Sequence, residues 1–246
     1  MTAALRRARP RFIVGVDESG TGAFAGPFTI CAFMTRAADT KWVHEEGAKD
    51  SKQLSAPKRR ALCDALAPCA IIADIVVVPG DYLEQSTAYR EGLADAIAHC
   101  LSVVADRSEV LVQIDGSGND HLKRYLRERL GVRIEFVPKG DQLIPQISAA
   151  SIFAKTVRTA CMADLHEQFP MYCWAANDGY GTVEHRAAIE LHGICPLHRR
   201  IRPLLRYFPD ADTGDNGKAL SDGGGALRGA CHACARPRLS RLSRDR

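Results

Sequence analysis

At 246 residues and 46% hydrophobic content, the chain is long enough for one large domain or two small ones with a substantial core. No apolar run reaches bilayer length, because Asp74 interrupts the best one, AIIADIVVVP; the basic opening MTAALRRARPR leads into a strand without a cleavage region, so neither a membrane span nor secretion is expected. The formal charge of +4 is uneven: from Ala211 onward 7 Lys and Arg face 4 Asp, which leaves the body nearly neutral and confines any nucleic-acid affinity to a local patch plus the tail.

The first predicted element is a strand in FIVGVDESGTGAFAGP, where three of the first five residues are β-branched. It carries the adjacent acids Asp17 and Glu18 into a bend freed by Gly20, Gly22 and Gly26. Neighbouring side chains of a regular strand point to opposite faces, so the bend is expected to bring the two carboxylates near one spot. A second strand follows, and a short third one is expected near Lys41 to His44. SAPKRRALCDALAP reads as a helix, with Ser at the N-cap and Pro just inside. Next come a strand at Ile71 to Val78 and a helix over roughly Tyr82 to Ala105. EVLVQID is a strand ending in Asp115, and HLKRYLRERL is a helix with Leu122, Tyr125, Leu126 and Leu130 on one face. RIEFVP is a strand followed by the turn Lys139-Gly140-Asp141, and SAASIFAKTVRTACMADLHEQF is a long helix whose small residues permit close packing. Early strands followed by alternating strands and helices predict a mixed sheet flanked by helices, an α/β fold.

Three separate strands thus each deliver an acid at or just beyond their C-terminal ends: Asp17 with Glu18, Asp115, and Asp141. Ligands of open α/β sheets collect beyond those ends. One Asp beside a Gly is ordinarily a turn former, but three in the same topological position form a cluster. Clustered carboxylates repel unless a cation joins them, and a divalent ion with oxygen ligands is the usual answer.

Beyond Phe208 the chain turns Gly/Asp-rich and then Arg-rich, the composition of a disordered tail whose arginines add nonspecific phosphate affinity. Cys231, His232 and Cys234 resemble half a zinc site without a second pair. The nine cysteines are odd in number and scattered through apolar segments; they read as free thiols of a reducing, cytoplasmic compartment.

The segments GVDESGTGAFAGP, DSKQLS, QIDG, KGDQLIPQISAASIFAK, GYGTVEH and PLHRR, in this order, resemble the ribonuclease HII family over Phe12 to about Pro203. The resemblance implies a ribonuclease H-like fold with a central mixed five-stranded sheet and a helical C-terminal part. It divides the chain into a basic extension (1–11), a catalytic domain (12–209) and a tail (210–246). It implies hydrolysis of the RNA strand of an RNA–DNA hybrid 5′ of a ribonucleotide, leaving 3′-hydroxyl and 5′-phosphate ends, with a role in removing ribonucleotides from DNA. Asp17, Glu18, Asp115 and Asp141 match the catalytic carboxylates that hold two Mg²⁺ or Mn²⁺ ions. Gly20, Thr21 and Gly22 match the segment that presents backbone groups to the ribonucleotide, and Tyr180 the tyrosine that packs on the neighbouring sugar. Lys52, Lys139 and the pair His198 and Arg199 are candidates for phosphate contact, while Ser148 and Ser151 read as helix-packing residues.

Thr21 stands where the type 2 pattern has arginine. Gly-Thr-Gly and PFTICAF are similar to ribonuclease HIII, which favours longer hybrids over a single embedded ribonucleotide. That branch carries a large N-terminal substrate-binding domain and a glutamate where this chain has Asp141, so the type 2 reading is preferred. Asp178 also replaces a usual lysine, and Ile201 and Arg202 replace a usual Ser-Phe. Two other readings fit clustered acids less well: a DNA-directed nuclease of similar fold, and a hybrid-binding protein without catalysis. A pure binder gains little from acids facing phosphates.

Overall fold

The computed structural model describes residues 9–46, 54–79 and 85–209. The β-branched opening run forms β1 (Phe12–Ser19), which pairs antiparallel with β2 (Phe28–Arg36); β2 in turn pairs antiparallel with β3 (Ile72–Val78). On its other edge β1 runs parallel to β4 (Val110–Asp115), and β4 parallel to β5 (Arg133–Val137). The result is the expected mixed five-stranded sheet, of order β3-β2-β1-β4-β5.

Strand alternation splits the core into two layers. Val14, Val16, Ile30, Ala32, Met34 and Val112 face one side, where they pack on α3 (Gln85–Leu101) and α4 (Asp120–Leu130). Cys31, Phe33 and Ile75 face the other, against α2 (Ala56–Leu66) and the long α6 (Pro145–Gln168). Fully burying one such aliphatic side chain contributes about 1.5–3 kcal/mol. The small residues of α6 let it lie almost on the backbone of β1: a Cβ built on Gly15 would sit 2.1 Å from the carbonyl carbon of Gln146. Helix α4 starts where Asn119 accepts a hydrogen bond from the Leu122 N–H and stops at Gly131, whose φ of 58° suits glycine.

One expected strand is a helix. Residues near Lys41 to His44 belong to α1 (Thr40–Glu45), where Lys41 pairs with Glu45 at 3.5 Å and the Trp42 indole donates to Glu46 at 3.0 Å. Side chains four apart meet only on a helix, and Val43 is buried from that helix rather than from a strand. A single turn, α5 (Gly140–Leu143), follows β5. Beyond α6, the helices α7 (Trp174–Asn177), α8 (Val183–His192) and α9 (Arg202–Leu205) enclose a third core of Phe24, Met162, Tyr172, Trp174, Ile189 and Leu204. The tail from 210 on, including Cys231 and Cys234, lies outside the described residues, as does the N-terminal segment 1–8.

Candidate active site

The parallel register sets the site. Val16 lies opposite Ile114, so the next residues, Asp17 and Asp115, are neighbours across β1 and β4; Asp115 in turn faces Val137 at the end of β5. Asp141 follows in α5, and the Gly140 N–H donates to the Asp115 Oδ1 at 2.7 Å. The acid that ends β4 therefore fastens the turn that carries Asp141. Asp17 and Asp141 are both buried, a costly place for charged groups.

β1 stays regular through Ser19, which still pairs with Thr29. The glycines bend the chain only after both acids have passed, so Asp17 and Glu18 leave β1 on opposite faces, yet they stay near enough for the charge of Glu18 to act on Asp17. The Asp17 carboxylate turns to α6 and accepts hydrogen bonds from the Ser151 side chain and, at 2.8 Å, from the Glu18 N–H. Glu18 turns to α3, where the Tyr89 hydroxyl donates to its Oε2 at 3.3 Å. Among the described residues no three Asp, Glu, His or Cys side chains stand together as a ready-made metal-binding group.

The electrostatics nonetheless favour a cation. The Asp17 carboxyl is pushed up to about 7, first by burial and then by the charge of Glu18, with Asp115 adding to it; only hydrogen bonds from Ser151 and the Glu18 amide oppose the shift. Among the described residues no basic side chain contributes. An oxygen-only donor set carrying an uncompensated carboxylate fits a hard divalent ion.

The glycine bend lies next to the acids. Gly20 has φ 90° and Thr21 and Gly22 are exposed. The segment around Gly179 docks on it by backbone, its carbonyl accepting from the N–H of Phe24 at 2.8 Å and of Ala25 at 3.2 Å. Tyr180 is 40% exposed and lies over the Arg158 guanidinium at 5.1 Å, so the structure brings it beside the bend. Lys139 is exposed at a left-handed position immediately before α5. Lys52 lies outside the described residues.

His198 and Arg199 do not serve as phosphate contacts. His198 is 5% exposed and Arg199 1% exposed; the Arg199 guanidinium is spent on the carbonyls of Gly26 at 2.7 Å and Gly20 at 2.6 Å. His198 belongs to a buried network in which its Nε2 meets the His185 Nε2 at 3.2 Å and the Trp174 indole donates to the same His185 nitrogen at 3.0 Å. Burial, with help from His185, drives the His198 imidazole down to about 3, so it is neutral at physiological pH. Sequence reasoning also missed Tyr89 and the hydrogen bond from Ser151 to Asp17. Ser151 carried a signal, being a small polar residue in a helix expected to press on β1; Tyr89 carried none.

A mixed sheet of this order, with carboxylates at the ends of three adjacent parallel strands, defines a ribonuclease H-like fold. The crystal structure of ribonuclease H2 from Pyrococcus horikoshii OT3 is similar to it with a TM-score of 0.65 at 20% identity, over 81% of this chain and 98% of that one. The crystal structure of Bst-RNase HIII in complex with Mn²⁺ is similar with a TM-score of 0.65 at 18% identity, over 83% of this chain and 71% of that one. In sequence, residues 14–207 match the family model described as Ribonuclease HII. The ribonuclease HII of Acidovorax sp. (strain JS42) is 37% identical over 206 residues, 83% of this chain and 91% of the relative. The chain belongs to the ribonuclease HII family, and it is a ribonuclease H endonuclease.

Proposed function

We propose that this chain hydrolyses the RNA strand of RNA–DNA hybrids, cutting 5′ of a ribonucleotide to leave 3′-hydroxyl and 5′-phosphate ends, and so removes ribonucleotides from DNA. The observation that carries the reading is that Asp17, Asp115 and Asp141 lie at or just beyond the carboxyl ends of β1, β4 and β5, with Asp17 three residues before a glycine bend in which Thr21 and Gly22 are exposed. Residues 12–209 form the catalytic unit in this reading, with 1–11 and the tail as appendages. The free cysteines of the described residues suit a reducing, cytoplasmic setting.

Asp17, Glu18, Asp115 and Asp141 would hold Mg²⁺ or Mn²⁺, as the Mn²⁺ complex of the ribonuclease HIII relative illustrates for its own chain. Two such ions, when bound, lower the pKa of an attacking water and neutralise charge on the leaving oxygen. The chain's own contribution is placement. Ser151 and the Glu18 amide orient the Asp17 carboxylate, Tyr89 orients Glu18, and the Gly140 N–H fixes Asp115 against the turn of Asp141. Recognition of RNA requires sensing the 2′-hydroxyl. The N–H groups of Thr21 and Gly22, exposed on the bend, are the donors suited to that hydroxyl and the adjacent phosphate, with Tyr180 packing on the neighbouring sugar and Lys52 and Lys139 reaching phosphates.

The test offers a duplex with one embedded ribonucleotide, one with a longer RNA run and one of DNA alone, each with Mg²⁺ and with Mn²⁺, and maps the ends. Cleavage of both RNA-containing duplexes but not of DNA is expected, and Asp17→Asn should abolish it. Thr21 lacks the arginine of the type 2 pattern, so incision at the lone ribonucleotide should be the slower reaction and Thr21→Arg should raise it. Cutting of the all-DNA duplex at a similar rate would overturn the reading.

A further inference from the structure

Two arginines are buried behind the glycine bend with no ion pair among the described residues. Arg199 donates through Nη1 to the Gly20 carbonyl at 2.6 Å and to the Thr21 carbonyl at 3.4 Å, and through Nε to the Gly26 carbonyl at 2.7 Å. Its third nitrogen, Nη2, is buried with no partner. Arg158 donates through Nε to the Pro27 carbonyl at 3.1 Å and through Nη2 to the Asp178 carbonyl at 2.6 Å. Its guanidinium lies under the Tyr180 ring, and a Cβ built on Gly20 would stand 1.8 Å from its Nε.

These contacts determine which way the bend's peptides point. In a trans peptide the N–H lies opposite the carbonyl. Drawing the Gly20 carbonyl inward turns the Thr21 N–H outward, and drawing the Thr21 carbonyl inward does the same for the Gly22 N–H. Neither N–H donates to any acceptor among the described residues. The pair therefore leaves two adjacent donors facing solvent on the side away from the arginines. Arg158 adds the second half, since the same side chain that supports Gly20 also supports Tyr180 from below.

Two unpaired guanidinium groups packed this closely cost free energy, which a purely structural device would avoid. Burial and the charge of Arg158 bring the Arg199 pKa down to about 9, still protonated at neutral pH. Asp178 favours the Arg158 charge without forming an ion pair with it. The charge has a use: it backs the outward N–H groups with a positive field where an anionic nucleic-acid backbone would lie.

We infer that Arg158 and Arg199 are positioning residues for ribonucleotide selection, holding the Gly20–Gly22 bend and Tyr180 in one recognition surface. The inference rests on the functional reading above. It also accounts for a chain with Thr21 in the bend, a residue that supplies no cation of its own: the positive charge acts from behind.

The experiment uses the full chain carrying Asp17→Asn, so that substrate is bound but not cut, with Mg²⁺ present. Fluorescence anisotropy measures Kd for two duplexes identical except that one contains a run of four ribonucleotides. Arg199→Lys keeps the charge and loses the fork that grips two carbonyls at once. It should lower the preference for the ribonucleotide duplex at least fivefold while leaving the all-DNA affinity within twofold. Arg158→Lys should lower the preference at least threefold, and thermal melting reports folding of each variant. An unchanged preference in folded Arg199→Lys and Arg158→Lys overturns the inference alone. Failure of both variants to fold also overturns it, because it assigns the pair to stability. Absence of any ribonucleotide preference in the Asp17→Asn parent overturns the functional reading, and the inference with it.

Discussion

Replacing Asp17 by Asn should stabilise the metal-free protein, by an amount that depends on pH. The folded-state pKa of Asp17 is about 7 against an ordinary 3.8, raised by burial and by Glu18. Between those values the folded chain holds a proton that the unfolded chain has released, so stability falls as pH rises from about 4 and the loss is complete above about 7. Linkage with these two values gives a penalty of about 1.7 kcal/mol at pH 5 and about 4 kcal/mol at pH 8. Asparagine keeps the shape and carries no charge, so the Asp17→Asn variant should gain about 2.5 kcal/mol relative to wild type between pH 5 and pH 8. Urea denaturation in EDTA at pH 5, 6, 7 and 8 measures this, because every other titrating group is common to both chains. Saturating Mg²⁺ or Mn²⁺ at pH 8 should then stabilise wild type and leave the variant almost unmoved. Parallel pH profiles would show that Asp17 is not held against its charge, and the argument for a cation at this point would fail.

Gly20→Ala should unseat the recognition bend, since its φ of 90° disfavours any side chain and the added methyl would strike Arg158; cleavage should fall at least tenfold with a modest drop in melting temperature. Gly15→Ala lies away from the bend, yet its methyl would collide with the backbone of Gln146 and Ile147 and force α6 off β1. It should cost about 3 kcal/mol or more in urea denaturation, at the upper end for overpacking because helix backbone cannot step aside as a side chain can. Tyr89→Phe removes the hydroxyl that donates to Glu18 at 3.3 Å, a bond contributing about 1 kcal/mol, so kcat should fall about fivefold with KM little changed.

The acids were legible because each closes or shortly follows a recognisable apolar run, and a run's end is the most local signal a strand offers. Their relative direction was not. Whether Glu18 joins Asp17 depends on where β1 stops being a strand, and the pairing of Ser19 with Thr29 carries the ladder past both acids. The Lys41 to His44 segment was misread for a related reason: four residues are too few to show a period, and the salt bridge and indole bond four residues apart reveal the helix. His198 and Arg199 looked like phosphate contacts because charge in sequence says nothing about burial. The bridge between Ala25 and His198 draws that segment under the glycine bend and turns its guanidinium inward.

The same few residues of chain therefore present opposite fields. Gly20 follows Asp17 by three positions, at most about 10 Å of extended chain. On one side stand the strand-end carboxylates, Asp17 among them raised by burial and by neighbouring acids, and on the other two buried guanidinium groups that donate to backbone carbonyls. A phosphodiester in this gap is repelled by the acids and attracted by the arginine-backed bend. Divalent ions reverse the first of these and leave the second alone. Mutations should divide along that line: changes at Asp17, Asp115 and Asp141 act on turnover and on the metal's contribution to binding. Changes at Arg158, Arg199 and Gly20 act on the choice between ribose and deoxyribose. A protein in which Arg199→Lys altered metal response, or Asp115→Asn altered sugar preference without loss of turnover, would not be organised in this way.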